Sequence, residues 1–101
     1  MEEKNVVDET KLTFLPVGSV VRLKGGKMNI LITGFAPIEQ GKDKVWDYLG
    51  AIWPVGVVKT SENLLFNRDQ IEEVIFKGYT DEKELDFRDK LEQSIEMIKK
   101  W

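Results

Sequence analysis

The chain is 101 residues long, with 42% hydrophobic and 33% charged side chains, a formal charge of -3 and neither cysteine nor histidine. That length fits one domain with one core, and the composition is that of a globular chain, not a disordered one. The missing cysteines exclude disulfides, thiolate metal sites and cysteine nucleophiles; the missing histidines remove the commonest neutral-pH base and transition-metal ligand, leaving carboxylates and lysines for acid–base work.

Nucleic acid is bound by clustered Lys and Arg, so the acidic balance, concentrated after residue 60, argues against it as a partner. Residues 1–13 carry Glu2, Glu3, Lys4, Asp8, Glu9 and Lys11 around a lone Val6-Val7 pair. They have no apolar run for an export signal and no periodicity, which predicts a flexible N-terminal arm before a single α+β domain over 14–101. No stretch approaches the roughly 20 apolar residues that span a bilayer, so a cytoplasmic location and no membrane insertion are expected.

Gly18 to Lys24 alternates Val20, Arg22 and Lys24 against Val21 and Leu23, the pattern of a half-buried strand. Gly25-Gly26 predicts a tight primed hairpin turn, and Met28–Phe35, with Ile30, Ile32 and Thr33, predicts the return strand. Pro37 and Gly41 bound a loop. Val45–Trp53 restarts the alternation with apolar groups on both faces, and Gly50 predicts a bend or bulge within it. Pro54 and Gly56 predict another turn, Asn63–Phe66 a short strand, and Asn67 or Asp69 the cap of a helical turn through Ile71. Glu73–Tyr79 reads as the closing strand. Thr80 is the expected N-cap of a helix from about Asp81 to Lys100, with an apolar stripe of Phe87, Leu91, Ile95 and Ile98. The expected fold is therefore α+β: a small antiparallel, SH3-like curved sheet or partial barrel of about five strands, followed by a C-terminal amphipathic helix, with SH3 likeness resting on analogy.

Chemistry is sparse. Lys24-Gly25-Gly26-Lys27 lacks the spacing and the following helix of a phosphate loop. The carboxylates Asp81, Glu82, Glu84, Asp86, Asp89 and Glu92 lack the alternation and central glycine of a calcium loop; interspersed Lys83, Arg88 and Lys90 make them a solvated helix face. Asp43, Asp47 and Asp69 could supply an acid–base pair, but nothing pairs them, and Asp69 fits a cap. No catalytic, cofactor or metal residue is assigned. Of Trp46, Tyr48, Trp53 and Phe66, at least two are expected in the core, because so small a domain has few other large side chains to fill it. Trp101 ends the chain beyond Lys99-Lys100, where an apolar side chain folds back on the sheet or meets a partner.

Three segments in order carry a resemblance: Pro16-Val17-Gly18-Ser19-Val20-Val21-Arg22-Leu23-Lys24-Gly25-Gly26; Trp46-Asp47-Tyr48-Leu49-Gly50 with Trp53-Pro54-Val55-Gly56; and Phe66-Asn67 with Ile71-Glu72-Glu73-Val74-Ile75-Phe76-Lys77-Gly78-Tyr79. Over about residues 15 to 85 the chain resembles the domain of unknown function 4176 family of small Firmicutes proteins. The resemblance implies that the gene stands beside type VII secretion genes and their toxins with LXG-type N-terminal domains; it implies no catalytic activity and transfers no active-site residue. The expected function is a non-enzymatic adaptor or chaperone-like accessory that binds an LXG effector or a companion protein. It would use a sheet edge or the helix, with Trp53, Phe87, Leu91, Ile95, Ile98 and Trp101 as partner-binding candidates, and homo-oligomers are open. The alternatives are an immunity-type toxin binder and a small-ligand or nucleic-acid-binding barrel.

Overall fold

The computed structural model describes residues 13–39, 41–59 and 62–100; residues 1–12 of the arm expected over 1–13, and Trp101, lie outside them. Five strands form one antiparallel sheet: β1 (Val20–Leu23), β2 (Asn29–Phe35), β3 (Tyr48–Ile52), β4 (Leu64–Phe66) and β5 (Ile71–Phe76), in the spatial order β4-β3-β2-β1-β5. Helix α1 (Glu82–Lys100) follows. The protein is thus α+β, as its period-2 and period-3.6 stretches predict.

The sheet must curl. Flat, its outer strands would stand four spacings apart, roughly 19 Å. Phe66 at the end of β4 and Ile71 at the start of β5 are joined by Asn67 and the 3-10 turn Arg68–Gln70, whose rise is only about 2 Å per residue. That bridge is too short for a flat sheet. The register shows where bending enters: Thr33 is an extra residue in β2 between the pairs Ile32↔Gly50 and Gly34↔Leu49, and β5 carries extra residues at Glu72 and Ile75 opposite β1. Such bulges bend a strand and raise its twist. Thr33 uses its bulged position to donate its hydroxyl to the Leu49 carbonyl, at 3.2 Å.

Three local expectations are corrected. The bulge falls at Thr33, across from Gly50; a Cβ at Gly50 would stand 2.8 Å from Ile30 Cγ2 and 2.9 Å from a Phe66 ring carbon, so this glycine admits neighbouring side chains instead. The β1–β2 connection is not a two-residue primed hairpin: it runs from Lys24 to Met28, with only Gly25 of the pair at positive φ and Gly26 N–H donating to Leu23 O at 2.9 Å. The helix cap is Asp81, not Thr80. Asp81 Oδ1 accepts from Glu84 N–H at 2.9 Å, while Thr80 donates to the Gly78 carbonyl, because a carboxylate one residue closer to the free amides is the stronger acceptor at the positive end of the dipole.

One face of the sheet builds the core. Val21, Ile30, Ile32, Tyr48, Phe66 and Ile71 are buried there together with Phe14, Leu15 and Ile95 of α1. Of the four aromatics of which at least two are expected inside, Tyr48 and Phe66 are buried, while Trp46 is half-buried and Trp53 exposed. Tyr48 is the hub, with ring centroids 5.4 Å from Phe14, 5.2 Å from Phe66 and 5.9 Å from Phe35. Its hydroxyl oxygen accepts from Leu15 N–H at 2.7 Å.

Burial pushes the Tyr48 phenol above its ordinary value of 10.0. A raised folded-state value means that the contribution is whole below pH 10 and declines as pH climbs toward the raised value, at about 1.4 kcal/mol per pH unit. Tyr48→Phe is expected to cost about 1–3 kcal/mol at neutral pH by leaving a buried amide unmet. Urea midpoints should also fall less steeply above pH 10 in the variant than in the parent.

Candidate functional site

Two features stand out once the sheet and helix are in place: a buried ionic centre under α1, and an apolar rim at the other end of β3.

The ionic centre starts at Asp47, the residue before β3, which is 2% exposed. Its Oδ2 accepts from Arg68 N–H at 2.8 Å and from Arg68 Nε at 3.3 Å, and Lys99 Nζ lies 2.7 Å from Oδ1. Arg68 also reaches Glu92 at 2.8 Å and Glu96 at 3.6 Å and stacks over the Phe14 ring at 4.5 Å. Burial disfavours the charge on Arg68, but Asp47 and Glu92 outweigh that cost and raise its pKa above the ordinary value. Asn67 Oδ1 joins by accepting from Asp47 N–H at 2.9 Å and from Lys99 Nζ at 3.1 Å. Along the helix, Glu92 accepts from Phe14 N–H, Arg88 donates to Phe14 O at 2.7 Å, and Arg88 pairs with Glu84.

A buried carboxylate invites an acid–base reading. Asp47 is nevertheless held by two cations and a backbone amide, and Asp43 and Asp69 are both exposed. The arrangement fastens the helix and the Phe14 segment to the sheet. Among the described residues no group of three or more His, Cys, Asp or Glu is placed to hold a metal ion. No described helix is long and apolar enough to cross a membrane.

The rim follows β3. Trp53, Val55, Val57 and Val58 are each about half exposed or more, from 48% to 67%, and Met28 from the β1–β2 connection joins them at 53%. Met28, Val55, Val57 and Val58, with Ile52, Gly56, Lys59, Glu62 and Asn63, line a shallow groove of about 230 Å³, and Trp53 stands exposed beside this stretch in sequence. The turn below it is closed by Gly56 N–H donating to Ile52 O at 2.8 Å. A folded surface normally scatters its exposed apolar residues singly, so several large ones gathered on one loop mark a surface suited to contact.

The partner-binding candidates separate. Ile95 is fully buried and Leu91 packs against the core, so both hold α1 to the sheet; Trp53 stands on the rim; Phe87 and Ile98 are exposed at 51% and 41%; Trp101 lies outside the described residues. Val55, Val57, Val58 and Met28 were not singled out. The available signal was Val55-Gly56-Val57-Val58 itself: apolar residues after Pro54 with no alternating polar partner, in a stretch with no sheet face to bury them.

The fold and site define a small α+β protein: a five-stranded antiparallel sheet with a C-terminal helix fastened to it through the ionic centre at Asp47. The family follows from the sequence match: the chain belongs to the family described as Domain of unknown function (DUF4176), which matches residues 14–87. That span takes in the whole sheet, the rim, Asp47 and Arg68, and ends within the second turn of α1. No curated protein and no solved structure matches the chain.

Proposed function

We propose that this protein is a non-enzymatic binding accessory, an adaptor or chaperone-like partner for an LXG-type effector or a companion protein of a type VII secretion locus, acting in the cytoplasm. The observation that carries the binding role is the rim: Val55, Val57, Val58 and Met28 exposed around one groove, with exposed Trp53 two residues before Val55. Tryptophan anchors beside aliphatic contacts are the residues that dominate interface energetics. The secretion context comes from the family resemblance alone. The strand order, a four-strand meander with β5 returning to β1 through one 3-10 turn, supports an SH3-like reading of the sheet.

The test is affinity purification of the tagged protein from its own cells with mass spectrometry, comparing the parent with a Trp53→Ala, Val57→Ser double variant. Retention of an effector or a neighbouring-gene product by the parent, and at least a roughly tenfold loss in the variant, is the expected outcome. Equal retention by both moves the contact off the rim, and no specific retention overturns the binding role. Coexpression with the isolated toxin domain separates the immunity alternative: an accessory acting on the effector's N-terminal half leaves toxicity unchanged.

A further inference from the structure

Helix α1 is docked off its own apolar stripe. Successive residues are turned by roughly 100° about a helix, so Phe87, Leu91, Ile95 and Ile98 share a stripe centred roughly 60° from the centre of Glu84, Arg88, Glu92, Ile95 and Lys99. The second set is the one that meets the sheet and the Phe14 segment, through Ile95 in the core and through the bonds of Arg88, Glu92 and Lys99 to Phe14, Arg68 and Asp47. The ionic centre sets the rotation, and the stripe is half used. Ile95 and Leu91 are packed; Phe87 and Ile98 stay 51% and 41% exposed at its outer side.

This outer side is backed by the sheet side of the fold at both of its ends. Phe87 rests on Phe35 of β2, ring centroids 5.6 Å apart, and Ile98 shares a cleft of about 320 Å³ with Val45 and Lys44. Ser94, exposed, falls between Phe87 and Ile98 on the same side and leaves room for a close approach. Phe87 to Ile98 spans about three turns, roughly 16 Å. The next positions round the helix from this stripe are Lys83 and Lys90, both exposed. Among the described residues Lys90 pairs with the surface residue Asp86, at 3.1 Å, an exposed pair of little net worth that a new partner can displace.

We infer that the outer side of α1, Phe87, Ser94 and Ile98 bordered by Lys83 and Lys90, is a docking surface for an amphipathic helix of another protein whose apolar stripe is flanked by Asp or Glu. Charge complementarity selects that occupant. A second copy of this chain packed antiparallel about a two-fold axis over Phe87–Ile98 brings the same flank of each helix together and sets Lys90 opposite Ser94 and Met97, so it offers no carboxylate to either lysine. A helix with an acidic flank meets them with opposite charge and completes a helix-in-groove contact against the floor formed by Phe35 and Val45.

The inference rests on the binding role proposed above and names a second surface and the partner's chemistry. The test places a benzophenone amino acid at position 98 of the full chain in its own cells, with position 94 as a second site and exposed Gln93, on the far side of the helix, as the control. Crosslinking from 98 or 94, above the position-93 background, to another protein's segment with apolar residues three and four apart beside Asp or Glu supports the inference. So does a fall of at least tenfold in that crosslink with Lys83→Glu, Lys90→Glu. Crosslinks to a second copy, crosslinks to a segment without that pattern, insensitivity to the charge reversal, or no crosslink above background overturns it. If the parent still retains its partner through the rim while 98 and 94 stay silent, only this inference fails and the binding role stands.

Discussion

Asp47→Ala is expected to lose about 3–5 kcal/mol of folding stability, the cost of removing one member of a buried ion network and leaving the rest uncompensated. For a domain whose whole stability falls in the range of about 5–15 kcal/mol, that is a large fraction. The size follows from what depends on one carboxylate. Oδ2 is the acceptor for both the backbone amide and the Nε of Arg68, and Oδ1 holds Lys99 at 2.7 Å. Without them the Arg68 amide loses its bond and the guanidinium loses its most buried carboxylate, though Glu92 and Glu96 stay beside it. Asp47→Asn retains an acceptor for Arg68 but not the charge, and is expected to lose less. Urea denaturation measures both, and hydrogen exchange should show the last turns of α1, around Ile95 and Lys99, opening first in Asp47→Ala. A loss under 1 kcal/mol would mean that packing at Ile95 and Leu91, not the ionic centre, fastens the helix.

Gly78→Ala is expected to destabilise by about 3 kcal/mol or more, from overpacking and a lost buried hydrogen bond together. A Cβ there would stand 2.5 Å from Val17 O and 3.0 Å from both Gly18 C and Ser19 N, all backbone atoms with no rotamer to turn aside. The chain has to part from the Val17–Ser19 segment. That movement pulls the Gly78 amide from Ser19 Oγ, which it reaches at 2.9 Å while the same hydroxyl donates to Pro16 O at 2.7 Å. Gly34→Ala is the control: its nearest atoms are Leu49 side-chain carbons at 3.8 Å, ordinary contact, so its cost should stay within about 1 kcal/mol. Thermal melts rank the pair, and equal melting temperatures would show that the Val17–Ser19 segment yields easily.

Gly78→Ala lies away from the rim and from Phe87, Ser94 and Ile98, so it separates folding from binding. A rim variant such as Trp53→Ala removes an exposed side chain and should melt near the parent while losing its partner. Loss of both at once would mark Trp53 as a fold residue.

The strands, the helix and their order were legible in the sequence because each rests on local periodicity: Val20 to Leu23 and Ile30 to Ile32 alternate, and the residues after Thr80 repeat every three to four. That at least two of Trp46, Tyr48, Trp53 and Phe66 lie in the core follows from the shortage of other large side chains in so small a domain; only the structure shows that these are Tyr48 and Phe66. The family resemblance carried by three ordered segments was legible too. What the tertiary structure decided is everything that depends on distant groups meeting. Asp47 is a strand-edge aspartate until Arg68, twenty-one residues on, and Lys99 close around it. Gly50 marks a bulge by rule, yet the bulge forms across the ladder at Thr33 because Ile30 and Phe66 need the space where a Cβ would sit. The rotation of α1 is the clearest case. A periodic stripe predicts that Phe87, Leu91, Ile95 and Ile98 all face the core, but the bonds of Arg88, Glu92 and Lys99 to partners far away in sequence turn the helix, and charge pairing across the fold leaves no local pattern to read.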